Sequence, residues 1–453
     1  MPTDPSRPSS GANNTTATIT LSSSMGAPSH LASGFIYGIP DTPDQIPPKF
    51  YTGMGFRYNR AGGAQTPSKG WLAGVSEYHP RFQSALSNYR TAQQYGARFQ
   101  LLLHDMWGAD GGEHANASFP GDDGDWSSFD AFLAQVASDL NANGVREGLD
   151  IDIWNEPDIS VFWYRPMQQW IDLWGRAYHT LRQSLGTDVP LVGPSLAYQP
   201  QTNNTWWTNF LSFVAQNSSI PDQWTWHVEG QAWNSVDDPE QSSANLKDML
   251  ATYGLPEHQF NINEYATRPE QQPAGAAWFI SRLERNNIVG LRGNWASAGE
   301  LHDYLANLLG KPGANTTAYS INGTGYWPNG EWQVYRYYAT NMTGERVATT
   351  GAGDRKFDCY ATMDGNGAVK ILCGTRLVGD TYSVTAEGLA AAGLPDSGTV
   401  NICTYRFDFD GSAYADVQGP VALGSSSHSY SGGAVTWQVT PATNETAYAF
   451  EFC

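Results

Sequence analysis

From about residue 31 to 310 the chain alternates short apolar runs with amphipathic stretches. The apolar runs predict strands at 34–39 (GFIYGI), 55–60, 98–104 (RFQLLLH), 148–154 (GLDIDIW), 190–194, 224–229, 258–264 (HQFNINE) and 289–295. Helix-like stretches lie between them at 78–94, 127–144, 168–186, 241–253 and 273–286. In 127–144, Phe129, Phe132, Leu133, Val136 and Leu140 recur at three- and four-residue steps, which makes one helix face, and Asn143-Gly144 ends it. The strand runs are apolar throughout rather than alternating, as in parallel strands covered on both faces. Eight such strands, each followed by a helix or a helix-sized insert, predict an α/β fold, a (β/α)₈ TIM barrel. A doubly wound sheet would carry a glycine-rich turn after its first strand. The residues after GFIYGI are PDTPDQIPP, which cradle no phosphate.

Past about residue 311 the helical period gives way to short alternating runs: WQVYRYYA, RKFDCYATM, AVKILCGT, TYSVTAE, TVNICTYRF, AVTWQVT and YAFEFC. Turn-forming clusters of Gly, Asn, Asp and Ser separate them, the pattern of an antiparallel β-sandwich. The segment ATITLSSS near the N-terminus is also strand-like. The expected organisation is an N-terminal segment (1–30) that joins the sandwich, a catalytic barrel (31–310) and a C-terminal sandwich (311–453), docked without hinge motion.

Composition narrows the function classes. The 453 residues carry 25 Lys+Arg against 44 Asp+Glu, a formal net charge of −19. Such a surface repels phosphate backbones and offers no basic patch to anionic lipid, so neither nucleic acid nor a membrane is expected as a partner. No apolar run reaches the ~18 residues of a membrane span. Aromatic residues make up 13% of the chain, with 17 Trp. Indole faces stack on sugar rings as readily as they fill cores, and the composition fits a carbohydrate partner. N-x-[ST] acceptor patterns begin at Asn13, Asn14, Asn116, Asn203, Asn217, Asn315, Asn322, Asn341 and Asn444, a density expected of a secreted glycoprotein. The N-terminus lacks a charged-then-apolar leader pattern, as in a chain from which a leader has been removed.

The four cysteines, Cys359, Cys373, Cys403 and Cys453, all fall in the last quarter. They lack the C-x-x-C spacing of a zinc site and are read as disulfides of an oxidising compartment. Three pairings are open. Cys359 and Cys373 flank the turn Asp364-Gly365-Asn366-Gly367 almost symmetrically and would face each other across a hairpin, which leaves Cys403 for Cys453.

Two glutamates carry the chemistry. Glu156, in Trp154-Asn155-Glu156-Pro157, follows the fourth barrel strand, and Glu264, in Asn261-Ile262-Asn263-Glu264-Tyr265, ends the seventh. The carboxyl ends of the strands form the active face of such a barrel. Strands four and seven lie across its mouth, so the two carboxyls are placed to flank a sugar. Glycosidic cleavage needs such a pair, one to protonate the leaving oxygen and one to attack the anomeric carbon. Glu156 is read as acid/base and Glu264 as nucleophile, with Arg57 of the second strand keeping Glu264 ionised. A serine hydrolase would need a nucleophile elbow, and Gly193-Pro194-Ser195 fails that pattern.

With these motifs the chain resembles the clan A retaining glycosidases. In its barrel-plus-sandwich architecture with an added N-terminal strand it most resembles glycoside hydrolase family 39. Family 51 arabinofuranosidases and family 5 glycanases are the near competitors. The resemblance implies a β-xylosidase-like enzyme and no cofactor, and the insertions after strands three, four and five, long enough to wall off a pocket, predict exo action. An α-L-arabinofuranosidase, an endo-glycanase and an inactive sugar-binding barrel are the alternatives. It further implies that Asn155 binds the hydroxyl beside the anomeric carbon. His227 should line the pocket near the nucleophile, His104 should contact hydroxyls deep in it, and Trp295 should form a platform. A packed barrel role is the competing reading for these last three. One departure stands out: His227-Val228-Glu229 occurs where the resemblance leads one to expect His-x-Tyr, which puts a third carboxyl near the pair, to bind a sugar hydroxyl or raise the local pKa values, with a place in the barrel wall as the competing reading. Trp107, in the long loop after the third strand, and Trp206, Trp207 and Trp233 on later loops are further stacking candidates. Asp110, Glu113 and His114 match no metal-ligand spacing, and no metal is expected.

Overall fold

The structure, a computed structural model, describes residues 15–110, 115–230 and 236–453. Trp233, Glu113 and His114 lie outside the described residues. Strand β1 (Thr16–Ser24) leads into eight strands that close a barrel. These are β2 (Gly34–Ile36), β3 (Tyr58–Ala61), β4 (Arg98–Leu102), β5 (Leu149–Asp152), β6 (Leu191–Leu196), β7 (Gln223–Val228), β8 (Gln259–Tyr265) and β9 (Ile288–Arg292). Neighbours pair in parallel, and β9 returns to β2 through Gly34–Leu291 and Phe35–Arg292. Every residue of β2, β5, β6 and β9 is buried, as strands covered on both faces require.

Helices α1 (Pro48–Gly53), α2 (Val75–Gln94), α3 (Leu103–Trp107), α4 (Ser127–Ala142), α5 (Met167–Leu185), α6 (Thr205–Asn217), α7 (Pro239–Tyr253) and α8 (Pro273–Arg285) follow successive strands. The expected face of α4 is buried from Phe129 to Leu140. Helix α5 lies so close to β6 that a Cβ on Gly193 would meet the Trp174 ring at 2.2 Å. After β9 come the short turn α9 (Tyr304–Asn307), the two-residue strands β10 (Leu309–Gly310) and β11 (Trp327–Pro328), and helix α10 (Gly330–Thr340).

Helix α10 corrects the expectation of a strand at WQVYRYYA and carries helical packing past residue 310. Trp332, Tyr335 and Tyr338, at three-residue steps, are buried, and Asn329 caps the helix by accepting from Trp332 N. Over eight residues a chain of aromatics satisfies either period, and the cap decides.

The remaining strands are β12 (Glu345–Thr350), β13 (Phe357–Met363), β14 (Val369–Thr375), β15 (Tyr382–Glu387), β16 (Gly398–Phe407), β17 (Val421–Tyr430), β18 (Ala434–Val439) and β19 (Ala447–Phe452). Their order is β17-β16-β19-β14-β13-β12-β1-β15-β18. Strand β12 turns the corner between two layers. Glu345 and Arg346 pair with β13, and the residues that follow pair with β1. An apolar core that includes Ile19, Val384, Phe357, Ile371, Ile402 and Trp437 fills the space between the layers, the arrangement of a β-sandwich. As expected, β1 joins it, antiparallel to β12 and parallel to β15. The disulfides are Cys359–Cys373, a directly opposed pair of the β13–β14 hairpin, and Cys403–Cys453. Among the described residues no helix is long and apolar enough to cross a membrane.

Candidate active site

At the carboxyl ends of the barrel strands lies a cleft of about 550 Å³, whose walls include Asn155, Glu156, Glu229, Glu264 and Trp295. The strands bring these groups together by two local devices. On β8, Ile262 pairs with Trp226 and Glu264 with His227, so Asn263 is the extra residue of a bulge. Strict alternation would send neighbours to opposite faces. The bulge lets both reach inward, Asn263 to Gln100, Asp152 and Ser195, and Glu264 towards Arg60. The second device follows β5. Glu156 sits at φ +41°, in the left-handed region, and its N–H donates to Ser195 O at 2.9 Å. A non-glycine residue held there is strained, and such strain persists where the surroundings over-determine the geometry.

Beneath the cleft floor a buried polar network fixes the charges. The Arg60 guanidinium donates to Asp152 at 2.9 Å and to the Asn155 carbonyl at 2.7 Å, and lies 3.4 Å from Glu264 Oε2. Asp152 also accepts from the Ser195 hydroxyl and from Asn263. Every polar end of the guanidinium is thus used, as a buried cation requires.

His227 is fully buried between the two glutamates. Its Nδ1 lies 2.7 Å from Glu156 Oε1 and 3.7 Å from Glu264 Oε2. Burial lowers its pKa to about 4, so the ring orients Glu156 without adding a charge. Burial also pushes the Glu156 carboxyl up to about 7, with Arg60 opposing. Glu264 is raised by burial too, but it faces the Arg60 guanidinium, and it is the carboxyl of the pair suited to stay ionised. Glu229 is raised well above the usual carboxylate range, first by burial and then by the charges of Glu264 and Glu156. Polar atoms of Glu156, His227 and Glu229 lie within 4.8 Å of one another. Two oxygens and a nitrogen are a donor set that a divalent cation accepts, and within it His227 Nδ1 and Glu156 Oε1 already contact each other directly.

Glu156, Glu264, Asn155, His227 and Glu229 therefore converge. Trp295 also stands at the cleft, 37% exposed, its indole N–H donating to Ala266 O at 3.0 Å. His104 is buried beneath the mouth, its Nδ1 2.6 Å from Asp105 Oδ1 and its ring edge-on to Trp154 and Phe162, and its Nε2 has no partner among the described residues.

Three expectations fail. Arg57 is exposed before β3, at the amino-terminal mouth of the barrel, because strand β3 starts at Tyr58, three residues later than expected, and it is Arg60 that reaches inward. Trp107 packs edge-on against Phe129 and Phe132 under α4 and offers no face to the cleft. Trp207 is fully buried, and Trp206 packs on Trp170. The reading also missed Arg60 and Asp152. Their signal was present: Asp150 and Asp152, two residues apart in an apolar run, share one face of β5, and that face is the barrel interior.

No protein-family model matches the chain, and no curated protein sequence matches it. Solved structures do. The structure of N2152 from Neocallimastix frontalis is 21% identical with a TM-score of 0.72, over 96% of this chain and 98% of that one. The GH39 enzyme from Xanthomonas axonopodis pv. citri is 15% identical with a TM-score of 0.58, over 97% and 98%. A GH39 beta-xylosidase from Caulobacter crescentus is 14% identical with a TM-score of 0.59, over 96% and 99%. The chain shares their fold over 96–97% of its length.

Proposed function

We propose that the protein is a retaining glycoside hydrolase, secreted and exo-acting, that removes a terminal sugar from a polysaccharide or oligosaccharide in the manner of a β-xylosidase. The observation that carries this reading is the pairing of Glu156 and Glu264 across the cleft, both in contact with His227. Both carboxyls reach one imidazole ring, a close pairing of the kind that supports direct attack rather than a water held between them. The fold shared with a GH39 enzyme and a GH39 beta-xylosidase supports it. The two disulfides and the acceptor asparagines support an extracellular setting.

In this mechanism Glu264 Oε2 attacks the anomeric carbon as Glu156 gives its proton to the glycosidic oxygen. The aglycone leaves as an alcohol and an ester forms on Glu264. Glu156, now a carboxylate, takes a proton from water, whose oxygen attacks the same carbon and frees Glu264. Asn155, held by Arg60, presents its amide to the hydroxyl beside that carbon.

The test is hydrolysis of aryl β-xyloside, α-L-arabinofuranoside, β-glucoside and β-galactoside by wild type, Glu156→Gln and Glu264→Gln, with product stereochemistry followed by NMR. One substrate should turn over with retention, and Glu264→Gln should lower kcat by about 10⁴-fold or more. Inversion would remove Glu264 from the nucleophile role, and silence of the wild type on all four and on xylan oligosaccharides would favour a barrel that binds sugar without cutting it.

A further inference from the structure

Glu229 has no task in the double displacement, yet the fold makes room for it. It follows β7 and lines the cleft with both glutamates. Its Oε1 is buried and has no partner among the described residues. Gly293, just past β9, faces it so closely that a Cβ there would meet that oxygen at 2.5 Å. An ionised carboxylate with a buried, unpaired oxygen is costly, and a cation would have to repay it. Among the described residues lining the cleft there is no Lys or Arg. Arg60, on β3, is committed to Asp152, Asn155 and Glu264, and Arg376 to Asp237 and Glu270. The groups that act on Glu229 from the packed elements are thus Glu156 after β5, Glu264 on β8, and Asp237 and Glu270, all acidic, while His227 is neutral.

We propose that Glu229 is a positioning residue that works as a neutral acid, so that the resting cleft holds two protons, one on Glu156 for transfer and one retained on Glu229. The assignment rests on the glycosidase reading for its purpose. The retained proton keeps a third charge out of the site and so spares Glu264, which faces the Arg60 guanidinium, a further repulsion. A neutral carboxyl also offers an O–H donor and a carbonyl acceptor, which can hold a carboxylate or a sugar hydroxyl without adding charge. Its nearest relative by role is a carboxyl kept protonated by an apolar site so that it can donate. The raised proton affinity of Glu229 agrees with this, since a charge on any of its acidic neighbours favours its neutral form.

The experiment has two arms, on wild type, Glu229→Gln and Glu229→Ala. In the first, the folded proteins are titrated potentiometrically from about pH 6 to about pH 10, where an unperturbed carboxyl is already ionised. Wild type should release one more proton than Glu229→Gln. In the second, kcat/KM is followed against pH. Above neutrality the wild-type profile should steepen from one proton towards two, whereas Glu229→Gln, a permanent neutral mimic, should stay at one and keep its acid-side rate within about tenfold of wild type, with Glu229→Ala well below both. Equal proton release by wild type and Glu229→Gln, or superimposable pH profiles, would overturn the assignment. The titration needs no turnover. Silence on every substrate therefore removes the glycosidase reading and leaves the second proton to be decided by titration, while an active enzyme with equal proton counts removes only the role given to Glu229.

Discussion

Glu156 and Glu264 are the same residue type and differ only in what surrounds them. Glu156 meets a neutral imidazole in a buried pocket, and Glu264 meets the Arg60 guanidinium. This difference separates an acid from a nucleophile, and it has a cost in stability. Burial raises the Glu156 carboxyl from 4.5 to about 7. Between those values the unfolded chain ionises the group while the folded protein keeps its proton. The unfolded state then binds fewer protons, and stability falls as pH rises through this window. Glu156→Gln removes the loss. Its thermal or urea midpoint should match wild type near pH 4 and exceed it near pH 8, by ~1–3 kcal/mol. A constant difference across that range would mean that Glu156 ionises in the cleft as it does in water.

Two elements shape the site by departing from regularity. The bulge on β8 brings Asn263 and Glu264 to the same side, so one strand supplies both a strut of the floor and the attacking group. The end of β9 supplies a gap at Gly293, into which Glu229 fits. Adding one methyl there tests the fit. Gly293→Ala should cost ~1–3 kcal/mol and lower kcat/KM, because the new Cβ meets the Glu229 carboxyl and the Tyr265 carbonyl. In the double variant with Glu229→Ala part of the lost stability should return, since the clash loses one partner. Urea midpoints of the four proteins give the coupling, and strictly additive effects would mean that the two residues do not touch.

The barrel and the sandwich are joined by more than a linker. Helix α8 packs on β13 and β14. Buried ion pairs cross the seam: Arg376 to Asp237 and Glu270, Arg282 and Arg285 to Asp358, and Arg346 to Glu284. Strand β1, which opens the chain, lies inside the sandwich. The whole molecule is therefore expected to unfold in one calorimetric transition, and two resolved transitions would count against rigid docking. Breaking a buried pair by removing one partner strands a charge, so Arg376→Met should destabilise by ~3–5 kcal/mol without a second transition appearing. Reduction of the disulfides, which close sequence separations of 14 and 50, should lower the midpoint further, by ~3–4 kcal/mol for each.

Local pattern alone determined the eight barrel strands, five of the ten helices among the described residues, the sandwich, the entry of β1 into it, and the two glutamates. Each of these follows from periodicity or from a short motif placed at a strand end, and periodicity is set by which residues must leave water. What the sequence could not decide was the identity of partners. Arg60 rather than Arg57 faces Glu264 because Arg57 precedes β3 at the amino-terminal end of the barrel, whereas Arg60 lies near the carboxyl end of that strand, on the side of the cleft. The aromatics of helix α10 fit either period, and only a cap and the neighbouring helices choose the helix. Trp107 and Trp207 end in the core, and an indole looks the same in sequence whether it ends on a cleft or in a core. The protonation of Glu156 and Glu229 belongs wholly to the tertiary structure, because desolvation and charge crowding exist only once strands distant in sequence have brought Glu156, Glu229 and Glu264 around His227.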